Sequence, residues 1–170
     1  MKGDKIFQLN DYSHHPKGYN DMVEMENLSE AELLYNLRLR YANDMIFTYV
    51  GPTLIVLNPY RMIQPLFTPE LVKEFQDTVK QEKFIHKEHI PHVFAIAAST
   101  LTNMFVNKRN QAVVIAGESG AGKTENTKFC MKFLTSFGES ESESDKSISD
   151  KVLHLNNDNK INRFLPVILF

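Results

Sequence analysis

The sequence predicts an α/β fold in which a mixed sheet is flanked by helices. Three observations carry that prediction. Residues 112–116 (AVVIA) are a short continuous apolar run, the pattern of a central strand covered on both faces. A glycine-rich segment follows directly, and a helical spacing of apolar residues follows that. Upstream, residues 45–50 (MIFTYV) and 53–57 (TLIVL) are β-branched and aromatic and flank Gly51-Pro52, which predicts a hairpin.

The remaining elements follow in chain order. Residues 1–18 are polar, with a His14-His15-Pro16-Lys17-Gly18 cluster, and read as a loose N-terminal arm or irregular lead-in. Ser29 and Glu32 make the S-x-x-E capping box at a helix start, where each side chain satisfies a backbone donor. Leu33, Leu34, Leu37 and Tyr41 then recur at helical spacing, leaving Arg38 and Arg40 on wetter faces. Asn58-Pro59-Tyr60 ends the second strand, because proline cannot continue the ladder. A helix is expected from Pro69 to about Lys83, with proline suited to its first turn. Another begins near Pro91 and carries Val93, Phe94, Ala97, Leu101, Met104 and Phe105, a stripe broad enough to be buried on more than one side. The last runs from Lys123 to about Phe137, with Phe129, Cys130, Phe133 and Leu134 inward. Residues 138–150 (GESESESDKSISD) are acidic and serine-rich and read as a solvated loop.

Composition narrows the partners. A chain of 170 residues has room for one domain, and 42% hydrophobic with 24% charged residues is ordinary for a globular protein. A net charge of -2 gives no reason to expect nucleic acid or an anionic membrane. No segment approaches the length of a membrane span. Cys130 is the only cysteine, so neither a disulfide framework nor a cysteine-based zinc site is available, and a reducing, intracellular setting is expected. His86, His89 and His92 recur every third residue, but Pro91 interrupts any helix across them and no carboxylate or thiol pattern completes a metal site. They read as an exposed helix–loop junction.

The chemistry concentrates in Gly117-Glu118-Ser119-Gly120-Ala121-Gly122-Lys123-Thr124, which fits G-x-x-x-x-G-K-[ST] at every fixed position. Backbone N–H groups surround a polyphosphate only where no Cβ blocks the approach. The helix that starts there adds unpaired N–H groups and the positive end of its dipole. Lys123 reaches the β and γ phosphates as a point charge, and Thr124 offers a hydroxyl to Mg²⁺. The segment therefore reads as a site for ATP with Mg²⁺, lying between a strand and a helix, the context in which the motif works.

The filled positions go further. GESGAGKTENTK, with its Glu125-Asn126-Thr127 continuation, resembles the phosphate loop of the myosin motor domain. Residues 19–61 and 89–124 resemble, in order and spacing, the segments that lead to the adenine-binding turn and deliver the phosphate loop. The resemblance covers residues 19–137. It implies a P-loop NTPase-like fold, a truncated part of the motor, over residues 19–156, and ATP-driven movement on actin filaments in the cytoplasmic cytoskeleton. It also implies that Asn58, Pro59, Tyr60 and Arg61 lie beside adenine and ribose. Phe67, after one extra residue, stands where the family has a tyrosine against the base.

Hydrolysis in that family needs two further loops. The first reads like N-x-N-S-S-R-F-G-K, whereas this chain has Asn157-Asp158-Asn159-Lys160-Ile161-Asn162-Arg163-Phe164 and then Leu165-Pro166. Both serines and the Gly-Lys are absent. Residues 157–170 are therefore read either as a degraded switch or, preferably, as a divergent tail whose final PVILF fits no motor element. The second loop, D-x-x-G-F-E, does not occur. The expected function is ATP binding without turnover at motor rates. The alternatives are an unrelated P-loop kinase or small ATPase, and a truncated, non-catalytic protein that binds nucleotide or a partner.

Overall fold

The computed structural model describes residues 10–80 and 90–136, with the backbone of Val167–Leu169. The acidic run at 138–150, the 157–164 segment, His86 and His89 lie outside the described residues. In chain order the elements are α1 (Glu30–Ala42), β1 (Phe47–Val50), β2 (Thr53–Val56), α2 (Pro69–Lys80), α3 (Val93–Asn107), β3 (Val114–Ala116), α4 (Lys123–Ser136) and β4 (Val167–Leu169).

The hairpin forms as expected. β1 and β2 pair antiparallel from Phe47↔Val56 to Val50↔Thr53, and the turn places Gly51 at φ 56°, a left-handed conformation that glycine adopts without penalty. Side chains alternate across the sheet. Phe47, Tyr49, Leu54 and Val56 enter the main core with Phe75, Phe94, Ile96 and Phe133 of the three later helices. Val50 and Ile55 pack on a smaller cluster of Tyr19, Met22 and Met25, which Leu33 and Leu37 of α1 also join. α3 is the centre of the main core: Val93 through Ala98 and Leu101 are buried, as the breadth of its stripe predicted.

α1 corrects the expected facing. Its buried residues are Glu32, Asn36 and Arg40, one per turn, while Leu34 and Tyr35 are exposed. Arg40, expected on a wetter face, is 3% exposed. It donates from Nε to Thr48 Oγ1 at 2.8 Å, from Nη1 to Asn20 Oδ1 at 2.8 Å and from Nη2 to the Phe47 carbonyl at 2.7 Å. The lead-in chain has few ladder bonds of its own, so its polar groups take partners from side chains. Asn36 Oδ1 accepts from Tyr19 N at 2.7 Å, and Glu32 Oε2 accepts from Asn10 N and Nδ2 at 3.3 and 2.6 Å. The lead-in is irregular and is anchored to α1 at Asn10 and Tyr19. The capping box is also half formed: Ser29 Oγ accepts from Glu32 N, but Ser29 N donates to Asn27 Oδ1, because Asn10 holds the Glu32 carboxylate.

The sheet order is β1-β2-β4-β3. β4 pairs parallel with β2 (Leu54↔Ile168) and with β3 (Ile115↔Ile168). The sheet is mixed, as expected, but two particulars differ. Val167–Leu169, within the segment read as fitting no motor element, supplies an internal strand. β3, expected to be central, lies at an edge among the described residues, with Val114 and Ala116 exposed, because β4 occupies the place beside the hairpin.

Candidate nucleotide site

The phosphate-loop motif spans the end of β3 and the first turn of α4. Gly120 and Gly122 have φ of 80° and 99°, backbone conformations that residues with a Cβ rarely adopt. A Cβ on Gly122 would sit 3.6 Å from Asn126 Nδ2 and 3.8 Å from Asn58 Cβ. Those are ordinary contacts, so it is the conformation that requires glycine there. Ala121 N donates to the Glu118 carbonyl at 3.3 Å. Lys123 Nζ donates to the carbonyls of Gly117 and Glu118 at 2.9 and 2.6 Å, which holds the cation against the loop's own backbone. Thr124 is exposed at the second position of α4, and Glu125 pairs with Lys128 at 2.7 Å. Gly117, Glu118, Ser119 and Gly120 face solvent, and Ala121, Gly122 and Lys123 are half-buried.

The end of β2 meets this loop directly. Asn58 Nδ2 donates to the Gly120 carbonyl at 2.7 Å. The same side chain accepts from Tyr60 N at 2.9 Å through Oδ1, an Asx turn that sets the chain beyond the strand. Asn58, Pro59, Tyr60, Arg61 and Phe67 all line one cleft of about 330 Å³ together with Gly122. Tyr60 is exposed, and the Arg61 guanidinium pairs with the Asp44 carboxylate, both half exposed. Phe67 lies flat on Phe129 of α4, with ring centroids 3.7 Å apart and planes at 10°, so one face of its ring is taken by α4.

Two residues that the sequence reading named without a place in the cleft also line it. Asn126 is 8% exposed, donates from Nδ2 to the Gly122 carbonyl at 3.1 Å, and keeps a buried Oδ1 without a hydrogen-bond partner among the described residues. Phe129 is the other. Both stand on the same face of α4 at i and i+3, a spacing that could have flagged them.

His92 is not part of an exposed junction. It is fully buried at the start of α3. No group of three His, Cys, Asp or Glu side chains among the described residues could hold a metal ion. Cys130 faces the core as expected, and burial pushes its thiol up to about 11.

A strand leading through a glycine loop into a helix, within a mixed sheet, defines a P-loop NTPase-like α/β fold. The family model described as myosin head (motor domain) matches residues 19–158. The chain is 37% identical over 137 residues to myosin type-2 heavy chain 1 of Schizosaccharomyces pombe, covering 81% of this chain and 8% of that one. It is 40% identical over 120 residues to myosin-M heavy chain of Dictyostelium discoideum, 69% of this chain and 6% of that one. Against unconventional myosin-VI of Homo sapiens it is 39% identical over 141 residues, 82% and 10% of the two chains. The chain belongs to the myosin head (motor domain) family. It spans a tenth or less of the length of these relatives.

Proposed function

We propose that these 170 residues form the nucleotide-holding segment of a myosin-type motor, binding Mg-ATP through residues 117–124 with the base in the cleft beside Asn58 to Phe67. The observation that carries the reading is the Asn58 Nδ2 bond to the Gly120 carbonyl. It locks the cleft to the phosphate loop, so that one ligand with an anionic end and a flat end would engage both. The residues fit such a ligand. The α4 N-terminus and the left-handed glycines offer backbone N–H groups to phosphate oxygens, and the Lys123 amine would exchange the Gly117 and Glu118 carbonyls for phosphate oxygens, a stronger charge-assisted bond. Thr124 would be the side-chain ligand for Mg²⁺, which supplies neutralisation of the phosphate charge. Movement on actin filaments and residence in the cytoplasmic cytoskeleton belong to the proposal for the whole motor.

These residues by themselves bind ATP and do not turn it over at motor rates, since positioning and charge stabilisation dominate phosphoryl transfer and residues 157–164 lack the serines and Gly-Lys of the family's switch. A second reading, a non-catalytic protein that binds a partner, is favoured by one observation. An apolar groove of about 320 Å³ runs between α3, β3 and α4 past Leu101, Met104, Val113, Ile115 and Leu134.

Calorimetric titration of the chain with Mg-ATP tests the primary reading. Lys123→Ala is expected to weaken binding by at least about tenfold, the loss of one charge-assisted contact, with an unchanged melting temperature. Equal affinity in the two proteins would contradict it.

A further inference from the structure

His92 joins the start of α3 to the turn at Gln64–Phe67. Its Nδ1 accepts from Phe94 N at 3.0 Å, so that nitrogen carries no proton, and Nε2 is the donor to the Leu66 carbonyl at 2.7 Å. The imidazole is fully buried. Its ring contacts Phe47 at 4.6 Å, Phe94 at 4.6 Å and Phe67 at 5.5 Å between centroids. The turn it holds has no side-chain cap of its own, and it delivers Ile63 and Phe67 to the wall of the cleft. The adjoining wall is α4, whose Phe129 stacks on Phe67 and whose first turn belongs to the phosphate-loop motif.

We propose that His92 is a positioning residue for the base end of the nucleotide: its Nε2–H bond to the Leu66 carbonyl sets the depth of the turn that carries Ile63 and Phe67. The inference rests on the reading of the cleft as the base site. It differs from that reading in assigning the cleft's shape to a residue outside it, buried behind the turn. A helix cap alone requires only the Nδ1 acceptor, which serine, aspartate or asparagine provides as well. The Nε2 donor, directed 26 residues back along the chain to a carbonyl, does nothing for the cap. It supplies the Leu66 carbonyl with a donor and ties the cleft wall to the core.

The two nitrogens separate by substitution. In His92→Asn the side-chain oxygen falls near Nδ1 and keeps the cap but does not reach Leu66. In His92→Gln the amide nitrogen falls near Nε2 and keeps the tether but gives a poorer cap. Binding of Mg-ATP and of inorganic tripolyphosphate is measured for both variants and the unaltered chain, with melting temperature alongside. The expected result is a crossed pattern. His92→Asn weakens ATP about tenfold, the size of one lost positioning bond, and leaves tripolyphosphate within about twofold, while His92→Gln binds ATP like the parent despite a lower melting temperature. ATP and tripolyphosphate weakened together, or ATP affinity that follows melting temperature in both variants, would overturn the assignment. If the unaltered chain holds ATP no more tightly than tripolyphosphate, the base-site reading itself fails and the assignment with it. A parent that prefers ATP, with His92→Asn unchanged, removes the His92 assignment alone.

Discussion

Arg40 and His92 are both buried titratable side chains, and each is held by neutral groups. Arg40 bonds to a hydroxyl, an amide oxygen and a carbonyl, so Arg40→Met would strand the two buried acceptors on β1, Thr48 Oγ1 and the Phe47 carbonyl. A loss of about 3 kcal/mol in denaturant unfolding is expected, the usual scale for buried polar groups left unpaired. Burial draws the pKa of His92 from 6.5 down to about 3, opposed in part by its bond to Leu66. A depressed pKa means that the unfolded chain takes up the proton first. The His92 contribution is therefore complete above about pH 6.5 and is lost as the pH falls towards 3. Unfolding followed between pH 7 and 4 should show a steeper decline for the parent than for His92→Gln, which has no proton to bind; equal slopes would contradict this. Neither burial was legible in the sequence. The periodicity of α1 separates apolar from polar positions, but an irregular lead-in needs polar partners, and that requirement appears only once residues 10–20 lie against the helix.

At the scale of elements, the hairpin, the four helices and the strand–loop–helix unit were legible, because turn residues and short apolar runs are local signals. The order of strands was not, since it depends on pairings between segments far apart in the chain. β3 carries the buried-strand pattern yet lies beside β4 at an edge among the described residues. The parallel pairs Leu54↔Ile168 and Ile115↔Ile168 make one backbone segment the join between the hairpin and the phosphate-loop strand. Ile168→Pro removes a ladder donor within that segment. Amide exchange should then accelerate in Leu54, Ile55 and Val114–Ala116, while the Phe47↔Val56 end of the hairpin keeps its cross-strand protection. Unchanged exchange in β3 would show that β4 does not hold the sheet together. The Asn58 bond to Gly120 was equally hidden. The resemblance placed both segments near one ligand, but a side-chain tether between them follows only from the φ values of the loop and the Asx turn after β2.

The described residues bring the phosphate-loop motif and a cleft together. Asn58 ties the chain after β2 to the loop, Phe67 stacks directly on Phe129 of α4, and α3 packs in the same core. That geometry suits holding a nucleotide. The chain covers a tenth or less of its relatives' length, and residues 157–164 do not carry the serines that contact Mg²⁺ and the γ-phosphate in the family. Under the proposed function, holding and hydrolysing therefore separate in these 170 residues. The most direct test is a single-turnover experiment with the chain in excess over labelled Mg-ATP, in which retained nucleotide and released phosphate are followed with and without actin filaments. The expected result is nucleotide retained by the folded chain and phosphate release that actin does not accelerate; no retention by a folded sample, or release stimulated by actin, would overturn the proposed function.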